Sequence, residues 1–329
     1  MAFNRLAPED FVISSDSITA TLWSEGAVAL TNFNTSSTQE AGSSGDFYLN
    51  VFQTGSTLSS AAVQFAIAYG NRYASGSAFY NNGVTTASPT RTTYGQYRNL
   101  ILGDENAEFV FGTATSSDFW VINIDRTRYK ESLLPGSLTL KLSASGFLNL
   151  TDDSQVSPTT IFNDAGRVYQ LISGAAGVTA TGYTASISGS YGWFLPDIGT
   201  ILLNPLALSG SISLSPNRTV NSDGLNYQKL FAAISGGASF QINSQETISS
   251  DYIFIRARNA EFNYSENPSF ISGSTGEIVF NQFINNPQTF LTTIGLYNDN
   301  MELLAVAKMS RPLLKDFTKE ALVRVKLDF

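Results

Sequence analysis

The chain has 329 residues and contains neither histidine nor cysteine. Their absence excludes Ser-His and Cys-His nucleophile pairs, His-based metal sites and disulfides. The 27 acidic residues outnumber the 19 basic ones, and this argues against a duplex-DNA partner, which would need clustered cations. The composition therefore predicts a non-enzymatic protein with no cofactor, no bound metal and no nucleic-acid partner.

The surface is expected to be polar but weakly charged. Charged residues make up only 14% of the chain, against about 25% in average globular proteins. Ser, Thr, Asn and Gly take their place, a composition that suits wet, extended interfaces between subunits. The start of the chain has no apolar signal-peptide core, and no apolar run approaches the ~20 residues of a membrane helix. We therefore expect no membrane partner.

Residues 1–40 are predicted to form an N-terminal arm. Short apolar pieces, such as Ile18–Trp23, alternate here with polar spacers. In an assembly, such an arm would lie on a neighbouring subunit, with Trp23 and Phe33 as its anchors. In a monomer, the same segment would be mobile.

Residues 41–146 carry strong strand signals. Val63–Gly70 and Ser137–Leu142 alternate with period two, and Asp118–Ile124 is rich in aromatic and β-branched residues. Gly, Asn and Ser turns separate these strands, as in a sandwich or barrel. We predict an antiparallel β-sandwich domain over 41–146.

Residues 147–225 are rich in Gly, Ala and Ser and are predicted to form a β insertion or subdomain with short strands. Tyr191–Gly199 is expected to be an aromatic loop that leads into a strand over 200–204. Trp193 and Phe194 in this loop are candidate interface residues.

Residues 226–329 are predicted to form a C-terminal β-domain, with pairing to 41–146 as the alternative to an independent unit. Asn298–Asn300 lies between two strand-like runs and predicts a hairpin, since Asn and Asp tolerate the positive φ of tight turns. Leu225–Phe231 has the apolar spacing of a short helix. The predicted fold class is all-β, with antiparallel sandwich domains, Gly/Ser-rich loops and at most one short helix.

Acidic residues form three groups that resemble cation sites only superficially. They are Asp104-Glu105, Asp152-Asp153, and Asn298–Asn300 with Glu302. None has the ligand spacing of a calcium or magnesium loop, and solvated turns explain them more simply. Glycan hydrolysis by paired carboxylates, which needs no histidine, remains an alternative.

Two further groups are candidates for contacts with partners. Arg126, Arg128 and Lys130 lie on one strand face by parity, where they would contact an acidic neighbour or pair with acids of this chain. Tyrosines are concentrated in a Gly/Asn-rich region and could stack on sugars, although core or interface positions are the simpler interpretation. These tyrosines are Tyr69, Tyr73, Tyr80, Tyr94 and Tyr97.

Several segments together resemble a known group of proteins. They are Arg128–Gly136, Pro196–Gly199, Glu261–Pro268, Thr293–Asn300, Leu303–Lys308 and Val325–Phe329. The chain resembles the virion structural proteins of contractile-tailed phages of the T4-like group that infect cyanobacteria and other marine bacteria. The resemblance covers most of the chain and is most specific in its last ~80 residues. It contains no catalytic motif, so it implies no active-site residue.

The resemblance implies a component of the phage particle, a tail or baseplate protein made in the cytoplasm of the bacterial host. Its partners would be other virion proteins and copies of itself. A neck or head-surface position is the alternative within the particle, and a carbohydrate-binding module that attaches to host surface glycans is the alternative outside this class. The predicted interface residues are Trp23, Phe33, Arg126, Arg128, Trp193 and Phe194.

Overall fold

The computed structural model describes residues 5–36, 48–74, 90–157, 160–181, 189–219 and 225–328. Contacts within the chain define two compact units. Unit 1 comprises Met1–Ser17 and Thr247–Phe329, and unit 2 comprises Ile18–Glu246. The segment boundaries predicted at residues 40, 146 and 225 stay predictions.

Unit 2 contains most of the regular structure. Its strands begin with β1 (Phe11–Thr21), which it shares with unit 1, followed by β2 (Ala29–Leu30), β3 (Tyr48–Phe52), β4 (Val63–Asn71), β5 (Phe109–Phe111), β6 (Ala114–Ser116), β7 (Asp118–Ile124), β8 (Ser132–Leu133), β9 (Thr139–Ser143), β10 (Phe147–Asp152), β11 (Ile161–Asn163), β12 (Gly166–Ala175), β13 (Val178–Thr179), β14 (Gly192–Leu195), β15 (Thr200–Leu203) and β16 (Phe240–Gln241). Its helices are α1 (Thr90–Leu102), α2 (Pro205–Ile212) and α3 (Asn226–Gly237).

A single 12-stranded antiparallel sheet organises unit 2. Its strand order is β2-β16-β9-β10-β12-β14-β15-β7-β4-β3, with β11 and β13 also paired to β12. Phe65 on β4 and Phe240 on β16 lie near opposite ends of this order, yet their ring centroids are 5.3 Å apart. The sheet therefore curls until its ends meet, instead of forming the two stacked sheets of the predicted sandwich.

The central strands bury side chains on both faces of the sheet. Along β7, Trp120 and Ile122 enter the larger core, whereas Phe119 and Val121 enter a smaller one on the other face. The smaller core is covered by α1 and by the β5–β6 hairpin. Because side chains alternate along a strand, residues buried at every position indicate a sheet covered on both sides.

Helix α3 lies inside the curl of the sheet and confirms the short helix predicted from Leu225–Phe231. It buries Tyr227 and Leu230 in the larger core, and Trp120 Nε1 donates a hydrogen bond to its Asn226 carbonyl at 2.9 Å. Gly237 allows the close approach to β9, because a Cβ there would lie 1.8 Å from the Lys141 carbonyl oxygen.

The all-β, antiparallel fold class is confirmed, but the prediction of at most one short helix is wrong. The described residues contain four α-helices. Helix α2 begins directly after the strand predicted over 200–204, where no helix was expected. Asn204 is its N-cap, accepting a hydrogen bond from the Leu206 amide at 3.0 Å, and Pro205 occupies its first turn. Both residues are favoured helix starts.

Unit 1 contains strands of two separate sheets. Its elements are β17 (Asn243–Ala257), which begins in unit 2, α4 (Gln282–Asn285), β18 (Gln288–Tyr297), β19 (Leu303–Asp316) and β20 (Ala321–Asp328). β17 lies between β1 and β20, and β18 and β19 form a separate two-stranded sheet. This confirms the hairpin predicted around Asn298–Asn300.

Candidate interaction surface

The sheet of unit 1 has one apolar face and one charged face. On the apolar face, Ile253 lies opposite Val325 and Ile255 lies opposite Val323. On the other face, Arg324 and Lys326 flank Tyr252. The Arg324 guanidinium carbon lies 5.3 Å from the ring centroid, a cation–π distance. The two faces follow directly from the alternation of apolar and charged residues along β20.

The β18–β19 hairpin presents apolar side chains to solvent. We define the hairpin surface as Phe290, Tyr297, Met301, Leu303, Leu304 and Val306. Their exposed fractions range from 38% for Tyr297 to 67% for Leu304. Ile294 and Leu296 alternate with the exposed positions of β18 and are half-buried. Both faces of the hairpin are thus apolar, which is unusual for a sheet in contact with water on one side.

A cleft of about 1320 Å³ opens between the apolar sheet face and the hairpin. Ile253, Ile255 and Val323 line one wall, and Leu296 and Ala305 line the other. Two apolar walls with room between them form a surface that a further protein segment could cover.

Lys315 connects the base of the hairpin to the loop over 259–263 by hydrogen bonds. Its side chain is fully buried, and Nζ donates to the Asn259 carbonyl, to Asn263 Oδ1 and to the Asp316 carbonyl at 2.8–3.0 Å. Thr289, its partner across the hairpin, donates through its hydroxyl to the Phe262 carbonyl. The loop over 259–263 is therefore held to the hairpin by hydrogen bonds as well as by packing.

The hairpin turn differs from the predicted one in a single respect. The positive φ falls on Met301, at 66°, rather than on an Asn or Asp. Asn298 instead closes the turn with its side chain, accepting from the Glu302 amide at 2.8 Å and donating to Glu302 Oε2 at 2.6 Å.

Two of the predicted interface residues in the predicted arm lie against the core of unit 2. Trp23 is 3% exposed and packs against Phe65 and Phe240, with ring centroids 6.2 and 5.0 Å away. Phe33 is half-buried and meets Phe65 at 6.3 Å. Trp23 therefore closes the seam where the two ends of the curled sheet meet.

Trp193 and Phe194 are on β14 rather than in a loop. Phe194 is fully buried in the larger core. Trp193 points to the other face, where it is half-buried against Phe109 and Phe111 at 5.6 and 5.5 Å. Of these two neighbours in sequence, only Trp193 retains solvent-accessible surface.

Arg126 and Arg128 lie in a 3₁₀ turn, not on one strand face as parity suggested. Arg126 stacks on Tyr129 at 4.6 Å and donates to the carbonyls of Tyr129 and Lys130. Arg128 donates to Ser24 Oγ at 2.7 Å. These arginines already bind groups of their own chain, and Lys130 likewise pairs with Glu246 at 2.9 Å. The structure brings neither arginine to the hairpin surface, and their interface role stays a prediction.

The tyrosines considered for sugar stacking do not share one exposed platform. Tyr69 and Tyr94 are each 1% exposed, and Tyr97 is half-buried. Tyr73 is 68% exposed, and Tyr80 lies outside the described residues.

The acidic groups serve as local structural supports. Asp104 Oδ1 caps the Asn106 amide at 2.8 Å in an exposed turn. Asp152 is fully buried rather than solvated and accepts from the Gly136 amide at 2.8 Å. Burial raises the pKa of the adjacent Asp153 carboxyl. Across the part of the chain that the structure describes, no three acidic side chains converge as metal ligands.

The ion pair between Arg167 and Asp197, which lies in the segment Pro196–Gly199, is expected to make the stability of the fold depend on pH. Burial opposes ionisation of Asp197, but hydrogen bonds from the Arg167 guanidinium and amide outweigh it and hold the pKa below its usual range. A lowered carboxyl pKa adds stability above the ordinary value of about 3.9, and this stability is lost as pH falls through the folded-state pKa.

We expect Asp197→Asn to lower the free energy of unfolding by about 1 kcal/mol at pH 6, since both side chains are roughly one-third exposed. The difference from wild type should begin to shrink near pH 4 and vanish only when the pH has fallen below the folded-state pKa of Asp197. Urea unfolding between pH 3 and 6 measures it, and Arg167→Met should show the same convergence. A difference that stays constant over this range would contradict the assignment.

Sequence reasoning missed the hairpin surface, although one signal was present. Leu303–Ala307 is a run of five consecutive apolar residues, and a strand with one solvated face would alternate instead.

Among the described residues, none of the helices combines the length and apolarity that crossing a membrane requires. The chain matches no protein-family model, and the comparisons with curated proteins and with solved structures gave no match either.

Proposed function

We propose that the chain is a non-enzymatic structural protein of a tailed-phage virion, a tail or baseplate component that assembles through protein–protein contacts. The observation that carries this proposal is the hairpin surface, with the apolar cleft beside it. Exposed apolar patches of this kind mark sites that a partner covers. The resemblance of the sequence segments supplies the class of particle.

The antiparallel fold supports an assembly role in a second way. β19 pairs with β18 on one side, and the described residues provide no strand for its other side. An open strand edge offers unpaired amide and carbonyl groups to another chain. Apolar burial and strand pairing could then act together at one contact.

The direct test is mass spectrometry of purified, salt-washed virions separated into heads, tails and detached baseplates. We expect the chain in the tail or baseplate fraction, at a copy number in fixed ratio to known components of that fraction. A fixed ratio in the head or neck fraction would keep the structural role and change its position. Absence from every particle fraction would overturn the proposal.

If the chain is absent from every particle fraction, the next measurement would be whether immobilised glycans retain the protein. Among the described members of the tyrosine group, Tyr73 is the exposed one, so Tyr73→Ala should abolish retention if this group binds sugar. Glycan turnover lost on a single Asp or Glu replacement would instead indicate a hydrolase.

A further inference from the structure

The outer edge of β19 has the features of an interface that is still uncovered. β19 pairs with Thr293–Tyr297 of β18 over Leu303–Lys308, with a register shift between Leu296 and Tyr297 that leaves Leu304 outside the ladder and regular pairing over Ala305–Lys308. A register shift between Leu291 and Thr293 then interrupts this pairing, and Pro312, which has no amide hydrogen, lies within the interruption. The open edge of β19 is therefore short, because this register shift and Pro312 end the stretch that could pair with another strand.

The apolar area of the whole hairpin surface, of which Leu303, Leu304 and Val306 lie on β19, is close to what one side of a stable interface needs. The six side chains of the hairpin surface together expose on the order of 600 Å², at about 100 Å² for each roughly half-exposed side chain. One partner in a standard interface contributes about 800 Å². Strand pairing and the flanking side chains would supply the remaining area.

The charges along β19 indicate which partner fits. Glu302 lies three residues before Ala305, and Lys308 lies three residues after it. Asp299 and Arg311 lie six residues before and after the same alanine. Acidic residues precede the apolar run and basic residues follow it, at matched distances.

We propose that β19 pairs antiparallel with β19 of a second copy of the chain, about a two-fold axis at Ala305. In this register Glu302 of each copy lies opposite Lys308 of the other, and Leu304 lies opposite Val306. Opposite charges across an antiparallel pair stabilise it, and a two-fold contact uses the same patch on both copies. Lys308 and Arg311 are exposed and have no ion-pair partner among the described residues, so both are available for this contact.

This inference rests on the proposed assembly role only in treating the hairpin surface as an interface. Finding the chain in virions while the purified protein stays monomeric would overturn the self-pairing and leave the assembly role intact. Self-pairing of the purified protein together with its absence from virions would overturn the assembly role and leave the self-pairing intact.

Charge exchange tests the contact on the full chain by sedimentation velocity. Glu302→Lys alone and Lys308→Glu alone each place two like-charged pairs across the axis, and we expect at least tenfold weaker self-association. An equimolar mixture of the two variants restores opposite charges in the heterodimer and should associate like wild type. Lack of recovery in the mixture, or single variants that associate normally, would overturn the proposal.

Cross-linking tests the register, because the chain contains no cysteine of its own. Ala305→Cys places two thiols face to face on the axis, at the Cα separation of about 4.5–5.5 Å that a disulfide needs. Diamide oxidation should then give a covalent dimer on a non-reducing gel. Ala307→Cys is the matched control: it is also half-buried but lies roughly 13 Å from its counterpart across the axis. Equal cross-linking of both variants, or of neither, would overturn this register.

Discussion

Replacing Trp23 with alanine is expected to lower the free energy of unfolding of unit 2 by about 3–5 kcal/mol. The indole lies between Phe65 of β4 and Phe240 of β16, which belong to opposite ends of the curled sheet. Its loss would leave a cavity at the seam, where neither neighbouring strand can move inward without disturbing its own ladder. Urea unfolding followed by far-UV circular dichroism measures the change.

Phe147→Ala is the matched control for this prediction. Phe147 is 71% exposed on β10, and the Lys141 ammonium lies 4.7 Å from its ring centroid. Its removal should change the free energy of unfolding by less than about 1 kcal/mol. Similar losses for the two variants would contradict the position of Trp23 in a closed seam.

Lys315→Met is expected to destabilise unit 1 by about 3 kcal/mol. Methionine keeps most of the side-chain volume but provides no donor for the Asn259 and Asp316 carbonyls or for Asn263 Oδ1. A buried acceptor left without a donor costs about 1–3 kcal/mol, and hydrogen bonds to a charged group are the stronger ones. Hydrogen exchange of the β18–β19 amides should report the loss locally.

Lys319→Met controls for the loss of charge. Lys319 is 64% exposed, and its Nζ lies 3.7 Å from Asp316 in a surface ion pair. Such pairs contribute about 0–1 kcal/mol, so this variant should retain the exchange protection of wild type. Equal effects of the two substitutions would indicate that charge, and not the buried hydrogen bonds of Lys315, stabilises the loop.

Strands and the hairpin could be predicted because their signals are local. Val63–Gly70 alternates along β4, and Asn298 does close a turn between two apolar strands. The curl of the sheet could not be predicted in this way. It depends on the contact of Phe65 with Phe240, which are 175 positions apart in the sequence, and no local periodicity encodes that pairing.

Helix α2 was missed because the same two residues can indicate either a break in an apolar segment or the start of a helix. Asn204-Pro205 interrupts an apolar run, and it also has the residue types that begin a helix. The apolar residues Leu206, Ala207 and Leu208 follow one another in α2, and Leu206 is exposed whereas Ala207 and Leu208 are buried, so the helix lacks a clear amphipathic pattern.

The candidate surface was missed because aromatic residues were favoured as interface anchors. Trp23 and Phe194 are large and apolar, but the same properties place them in this chain's own core. The short run Leu303–Ala307 was the better indicator, since it exceeds what one buried face of a strand needs. No sequence signal distinguishes Lys315 from the exposed lysines, because its burial depends on the loop that folds over it.

Unit 1 is built from two segments that are far apart in the chain, so it cannot fold during synthesis until the second segment has been made. Its first part, up to Ser17, leaves the ribosome before the whole of unit 2, and its second part begins only at Thr247. At about 5–20 residues per second, the first part waits roughly 10–50 s for the strands it joins. The surface that we assign to assembly therefore forms only after unit 2 has emerged. Nascent chains that have not yet reached β18 and β19 would lack this surface, and under the proposed assembly role they would be unable to make its contacts.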